Sequence, residues 1–163
     1  MRKHSPPFCL SVNAQQKTGC SCSRVKVSSP SNSPPMSPLS SFQVHDEQLA
    51  GHGGLPGIRD LGAVQSALAR PRNLANYEDR DDLARLAAAY AYGIARNHGF
   101  ADGNKRTALV TADLFLMLNG YELTSSPAEN VLTILGIAEG SLSEEDPAAW
   151  IRKNTQESPE NLA

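Results

Sequence analysis

The chain has 163 residues and a formal net charge of −2, enough for one domain with a tail. That balance lacks the positive excess that would direct it to nucleic acid or an anionic membrane. The longest apolar run, ALVTADLFLML at 108–118, is too short to span a bilayer and carries Asp113, so the composition predicts a soluble globular protein.

Charge is unevenly spread along the chain. Residues 1–41 hold five Lys or Arg, eleven Ser and six Pro but no Asp or Glu, which leaves residues 42–163 with a net charge of −7. The first stretch buries too little apolar surface to offset the entropy of ordering it, so disorder is expected over 1–41. Three readings of that tail are open. It can be a targeting peptide, a functional disordered arm, or a segment without a role, as from a start codon assigned too far upstream; the last is taken. FCLSV at 8–12 is too short for the apolar region of a secretory signal. All three cysteines (Cys9, Cys20, Cys22) lie in the tail, in neither a C-x-x-C pair nor a zinc-ligand spacing. The cysteine-free remainder needs no disulfide and suits a reducing cytoplasm.

From residue 42 the pattern is helical. A first helix is expected over about 42–50, halted by GHGGLPG at 51–57. A second, over 58–70, places Ile58, Leu61, Val64, Ala67 and Leu68 on one face, and Pro71 should end it. Residues 71–82 lack periodicity and read as a loop whose acidic end suits a helix start. The segment from about Asp82 to Asn97 is apolar nearly all round and should be a central helix. A second central helix runs from Gly103 or Asn104 to Leu118, stopped by Asn119-Gly120. Tyr121 to Leu123 can form a brief extended piece. Ser126, Pro127 and Glu129 then give an N-cap, a first-turn proline and a capping-box glutamate for a helix ending at Gly140. A last short helix opens at 143–146 and should dock Trp150 and Ile151 on the core. With no other strand alternation, the fold class is all-α: a helical domain over 42–158 and a short tail over 159–163.

The chemistry gathers in RNHGFADGNKRTAL, 96–109, at the junction of the two central helices. First-turn amides of a helix lack partners and carry a partial positive charge, a ready site for phosphate. Gly103 permits close backbone approach, and Lys105 and Arg106 add full charges. Asp102 offers the oxygen ligand that Mg²⁺ prefers, and His98 is suited to take a proton near neutral pH. Each residue also has a plain structural explanation. His98 can be a helix C-cap, Asp102 an N-cap, Lys105-Arg106 a solvated face and Phe100 a core anchor, the last being the reading kept. Their coincidence in one loop favours a reaction centre.

His98-Gly99-Phe100-Ala101-Asp102-Gly103-Asn104-Lys105-Arg106-Thr107-Ala108 resembles the H-x-F-x-D-x-N-K-R-T-A signature of the Fic/Doc superfamily, and most of all its death-on-curing (Doc) toxins. HDEQLAGHGGLPGIRD (45–60), SALARP (66–71) and LFLMLNGYEL (114–123) resemble that family in the same order, so the likeness spans about 43–155. It implies a compact helical bundle with the active-site loop between two central helices. It implies His98 as base toward a Ser or Thr hydroxyl of a target protein, Asp102 as Mg²⁺ ligand, and Gly103, Asn104, Lys105 and Arg106 as the turn that holds ATP phosphates. Asp102 and Arg106 are also counted with His98 among the catalytic residues. The stretch 70–77 falls where the family has a target-aligning flap.

Within the superfamily, AMP-transferring members resemble H-P-F-x-[DE]-G-N-G-R-x-x-R, whose second Arg clamps the γ-phosphate. Here Leu109 stands at that position and Lys105 replaces the second Gly, which favours a Doc-type protein kinase over an adenylyltransferase. Gly103 is a departure toward the AMP-transferring pattern, since the best-known Doc pattern has Ala. The expected target is translation elongation factor Tu, and the expected inhibitor a separate antitoxin laid as a helix in a nearby groove. Ser125 to Asn130 formally matches the superfamily's built-in brake, [ST]-x-x-x-E-[GN], but the capping box explains Glu129. The rival from another class is a catalytically silent antitoxin-binding module. Neither a membrane nor direct nucleic-acid contact is expected, given the acidic core.

Overall fold

The computed structural model describes residues 36–77 and 82–158. Its centre is α3, Leu83–Asn97, an alanine-rich helix with ten buried residues, among them Ala87, Ala88, Ala89 and Ala95. Small side chains let neighbouring backbones approach closely. α2, Leu61–Tyr77, and α4, Asn104–Leu118, pack on α3, joined by α5, Pro127–Glu139, and α6, Glu145–Lys153. α1, Pro38–His52, lies on α4. At the α2–α3 crossing, a Cβ on Gly93 would stand 3.0 Å from the Ala67 Cα, so that residue sets the spacing of the two helices. Tyr90, Phe100, Phe115 and Leu116 fill the space between the alanines. Among the described residues no helix is long and apolar enough to cross a membrane.

The all-α class holds, with one small addition. β1, Tyr121–Leu123, pairs antiparallel with β2, Thr155–Glu157, opposite Tyr121↔Glu157, Glu122↔Gln156 and Leu123↔Thr155. The extended piece at β1 was expected and β2 was not, because three residues are too few for alternation to register. The α5 cap forms as read: Ser126 and Glu129 exchange side chain and backbone in a complete capping box. α6 carries Ile151 into the core, with Trp150 packed against it.

Three boundaries differ from the expected ones. α1 starts at Pro38 rather than near residue 42, because Ser37 caps it by accepting from the Ser40 N–H, and Met36 ahead of it is buried. α2 starts at Leu61 rather than 58. Asp60 accepts from the Ala63 N–H at 3.0 Å, while Ile58 forms an isolated antiparallel bridge with Phe100. Ile58 and Leu61, read as core positions, are therefore half exposed.

The third difference is Pro71, which sits inside α2 instead of ending it. A mid-helix proline forfeits one backbone hydrogen bond and strains the preceding turn. Packing on both sides outweighs that penalty. Ala67 and Leu68 are buried before it, Pro71 itself is buried, and Leu74 and Ala75 pack on the core after it. Arg70 adds an ion pair with Glu144 at the start of α6. The expected 71–82 loop is thus mostly helix, and Asp82 caps α3 by accepting from the Arg85 N–H. The expectations for residues 1–35, including the three cysteines, and for 78–81 and 159–163 lie outside the described residues.

Candidate active site

The turn between α3 and α4 is fixed from three sides. α3 ends at His98, which has φ 47° and ψ 42° and is the one non-glycine residue of positive φ among those described. That left-handed step leaves the His98 side chain exposed while turning Gly99 and Phe100 inward. Gly99 has no room for a side chain, since a Cβ would meet Val64 Cγ2 at 2.5 Å. Its carbonyl accepts from the N–H groups of Arg59 and Asp60, and the Ala101 N–H donates to the Gly57 carbonyl at 3.0 Å.

Phe100 is the core anchor expected of it, 1 % exposed and edge-on to Phe42. Its backbone is latched by Asn104. The Phe100 N–H donates to Asn104 Oδ1 and Asn104 Nδ2 donates to the Phe100 carbonyl, both at 2.9 Å. The Asn104 side chain thus holds the loop and leaves only its backbone to face an anion.

Gly103 is the N-cap of α4, at φ 73°, and no side chain caps the helix. The first-turn amides are left without the cap that α1, α3 and α5 carry. Asp102 Oδ1 accepts from the Gly103 N–H at 2.6 Å. That bond, with a second from Leu55 and the charge of Arg106, holds the carboxyl below its ordinary range, so it is ionised at neutral pH. Arg106 donates from Nη1 and Nη2 to the Gly53 carbonyl at 3.0 and 3.1 Å, and Nη2 stands 3.9 Å from Asp102 Oδ2. Lys105 is exposed at the rim.

His98, Asp102, Gly103, Asn104, Lys105 and Arg106 all line one pocket of about 470 Å³. The rest of the lining is apolar: Leu109 from α4 with Val131, Ile134 and Leu135 from α5. Charged groups beside an apolar lining are the chemistry that a phosphate tail with a flat base would need. Among the described residues no group of three metal-ligating side chains forms, and Asp102 is the carboxylate in the pocket. One ionised carboxylate suits Mg²⁺, which binds through few protein ligands and completes its shell with phosphate oxygens and water. Glu129 is spent on its cap, accepting from the Ser126 N–H and Oγ.

Two features escaped the sequence reading. The first is the turn at Gly53-Gly54 after α1, which lies against the site: a Cβ on Gly54, at φ 137°, would lie 2.6 Å from Asp102 Oδ2. The second is His45 on α1, 3 % exposed and stacked on Phe100. The stretch 70–77, read as a flap, is helical in α2. The segment 53–60 instead contacts Asp102, Arg106 and the Gly99–Ala101 turn.

A model described as the Fic/DOC family matches residues 36–116. "Protein kinase doc" of Escherichia phage P1 is 38% identical over 118 residues, covering 72% of this chain and 93% of that protein. The chain belongs to the Fic/DOC family. "Toxin Doc" of Mycolicibacterium smegmatis is 43% identical over 76 residues, 45% of this chain and 57% of that relative. The Fic/DOC match begins at Met36, one residue ahead of the α1 cap Ser37, and ends within α4.

Gly54→Val combines a left-handed backbone with a clash against Asp102 and Leu49. With Asp102 in the Mg²⁺-ligand role that the family resemblance implies, it should raise the Mg²⁺ concentration needed for half-maximal activity roughly tenfold or more, in line with the sensitivity of metal sites to their supporting groups. Burial pushes the His45 imidazole below its ordinary value of 6.5, so the folded chain holds it neutral where the unfolded chain would protonate it. This group therefore leaves stability undiminished above pH 6.5 and costs stability as pH falls from there through the folded value. The melting temperature should drop on acidification below that point, and His45→Phe should flatten that part of the profile.

Proposed function

We propose that the chain is a Doc-type toxin kinase, which transfers the γ-phosphoryl group of ATP to a Ser or Thr hydroxyl of translation elongation factor Tu and so arrests translation. The observation that carries this reading is Leu109. It stands in the apolar pocket wall at the position where AMP-transferring relatives hold the γ-phosphate with arginine. An apolar wall leaves the phosphate cradle of α4 as the one charged end of the pocket, which favours the γ-phosphoryl group there, next to His98.

In this reading His98 takes the proton of the acceptor hydroxyl, whose oxygen attacks the γ-phosphorus. The bond to the β–γ bridging oxygen breaks, and ADP leaves with that oxygen's electron pair. The first-turn amides of α4, Lys105 and Arg106 meet the charge spread over the equatorial oxygens. Asp102 would hold Mg²⁺, which neutralises the polyphosphate when bound. Arg106 must turn from the Gly53 carbonyl to reach phosphate, or else act from its present place by charge alone.

The exposed Leu55 and half-exposed Ile58, on the segment beside Asp102 and Arg106, offer a docking edge for a protein target. Val131 and Leu132, 53% and 68% exposed on α5, fit an antitoxin helix laid beside the pocket. The net charge of −7 over residues 42–163 speaks against direct nucleic-acid binding, and the target places the action in the cytoplasm. AMP transfer is the second reading, favoured by Gly103, the glycine of the AMP-transferring pattern. A silent antitoxin-binding module is the third, and an ionised Asp102 beside uncapped amides weighs against it. Incubation with purified elongation factor Tu, Mg²⁺ and ATP, followed by intact-mass measurement, tests target and reaction together. A gain of one phosphoryl mass is expected. A gain of an adenylyl mass makes the second reading correct, and an unchanged mass removes this target.

A further inference from the structure

A buried polar seam lies between α1 and α4, beneath the phosphate-facing turn. Its members are Ser41 and His45 on α1 and Thr107 and Thr111 on α4, each at most 3 % exposed. On each helix the pair is four residues apart and so shares a face. His45 is the member nearest the site and touches it at three points. Its ring stacks on Phe100, with centroids 3.9 Å apart and planes 16° from parallel. Its Nδ1 lies 3.2 Å from Thr107 Oγ1. The Gly103 turn sits over it so closely that a Cβ there would lie 3.5 Å from Cε1 and 3.6 Å from Nδ1.

Stability does not account for an imidazole here. His45 Nε2 and the hydroxyls of Ser41 and Thr111 are buried with no hydrogen-bond partner among the described residues. Each unpaired group weighs against folding, and an apolar side chain of similar size would fold better. A flat ring oriented by Thr107 does have a geometric consequence. It fixes the height of Phe100, whose backbone is latched to Asn104 at the first turn of α4. His98 lies two residues before Phe100, so the same ring sets the base relative to the phosphate cradle.

We infer that His45 is a positioning residue, which holds the base and the phosphate cradle in register without touching either substrate. Its kinetic consequence rests on the phosphoryl-transfer reading given above, and its structural consequence does not.

Two variants of near-conserved volume test it in the full chain: His45→Leu, which has no flat face, and His45→Phe, which keeps one. With Mg²⁺, ATP and elongation factor Tu, His45→Leu should lower kcat roughly tenfold or more with little change in KM for ATP, as expected when orientation is lost. His45→Phe should restore most of that loss. Amide hydrogen exchange supplies the second readout. The Phe100 and Ala101 amides should stay protected in His45→Phe and lose protection in His45→Leu, while Ala88 and Ala91 in α3 stay protected in both. The inference is overturned if His45→Leu matches the wild type in Phe100 protection, or if the two variants behave alike. Should the wild type transfer no phosphate, the transfer reading falls and the exchange comparison still decides the role of His45.

Discussion

His98→Ala should reduce phosphoryl transfer by about 10²- to 10⁴-fold, the usual worth of a positioned general base. Folding should be nearly unaffected. His98 is exposed, and its left-handed backbone costs alanine only about 1 kcal/mol, somewhat more than histidine. Its neighbours are held by other residues: Gly99 by Arg59 and Asp60, and Phe100 by Asn104. Host growth should therefore recover on expression of the variant, with a melting temperature close to that of the wild type. Toxicity that persists at normal expression would remove His98 from the mechanism.

Asn104→Ala should damage both stability and turnover. It strips two hydrogen bonds and leaves the Phe100 N–H and carbonyl, both in a buried residue, without their partner. Such losses amount to about 2–3 kcal/mol in total when the orphaned groups are buried. The loop would also lose the latch that joins His98 to the start of α4, so kcat should fall by roughly 10²-fold, as for a misplacement near 1 Å. Thermal denaturation alongside steady-state kinetics separates the two effects. A variant that melts lower but turns over normally would reduce the latch to a structural role.

The frame of the site was legible because its determinants are local. Alanine-rich periodicity, Asn119-Gly120 and the Ser126–Glu129 box each act within a few residues, and all three elements are present. The pocket brings together His98, Asp102, Gly103, Asn104, Lys105 and Arg106, the residues of the motif read as the site. What was not legible depends on distant partners. Pro71 reads as a helix stop until the buried faces on both sides of it are known. Asn104 reads as a phosphate ligand by position, yet its side chain serves the loop four residues upstream. Gly54 looks like one glycine of a turn cluster, and its closeness to Asp102 exists only once that turn folds against the site. His45 sits 62 residues from Thr107, and no local pattern connects them. The contact of 53–60 with the α3–α4 turn is hidden for the same reason, since the bridge from Ile58 to Phe100 carries no local signature.

The central claim is that this pocket delivers the γ-phosphoryl group and not AMP. Parallel incubations with ATP labelled at the α or the γ position, each with Mg²⁺ and elongation factor Tu, test it most directly. Label should enter protein only from the γ position. Label entering from the α position would contradict the account, and would mean that Leu109 does not set how the nucleotide lies in the pocket.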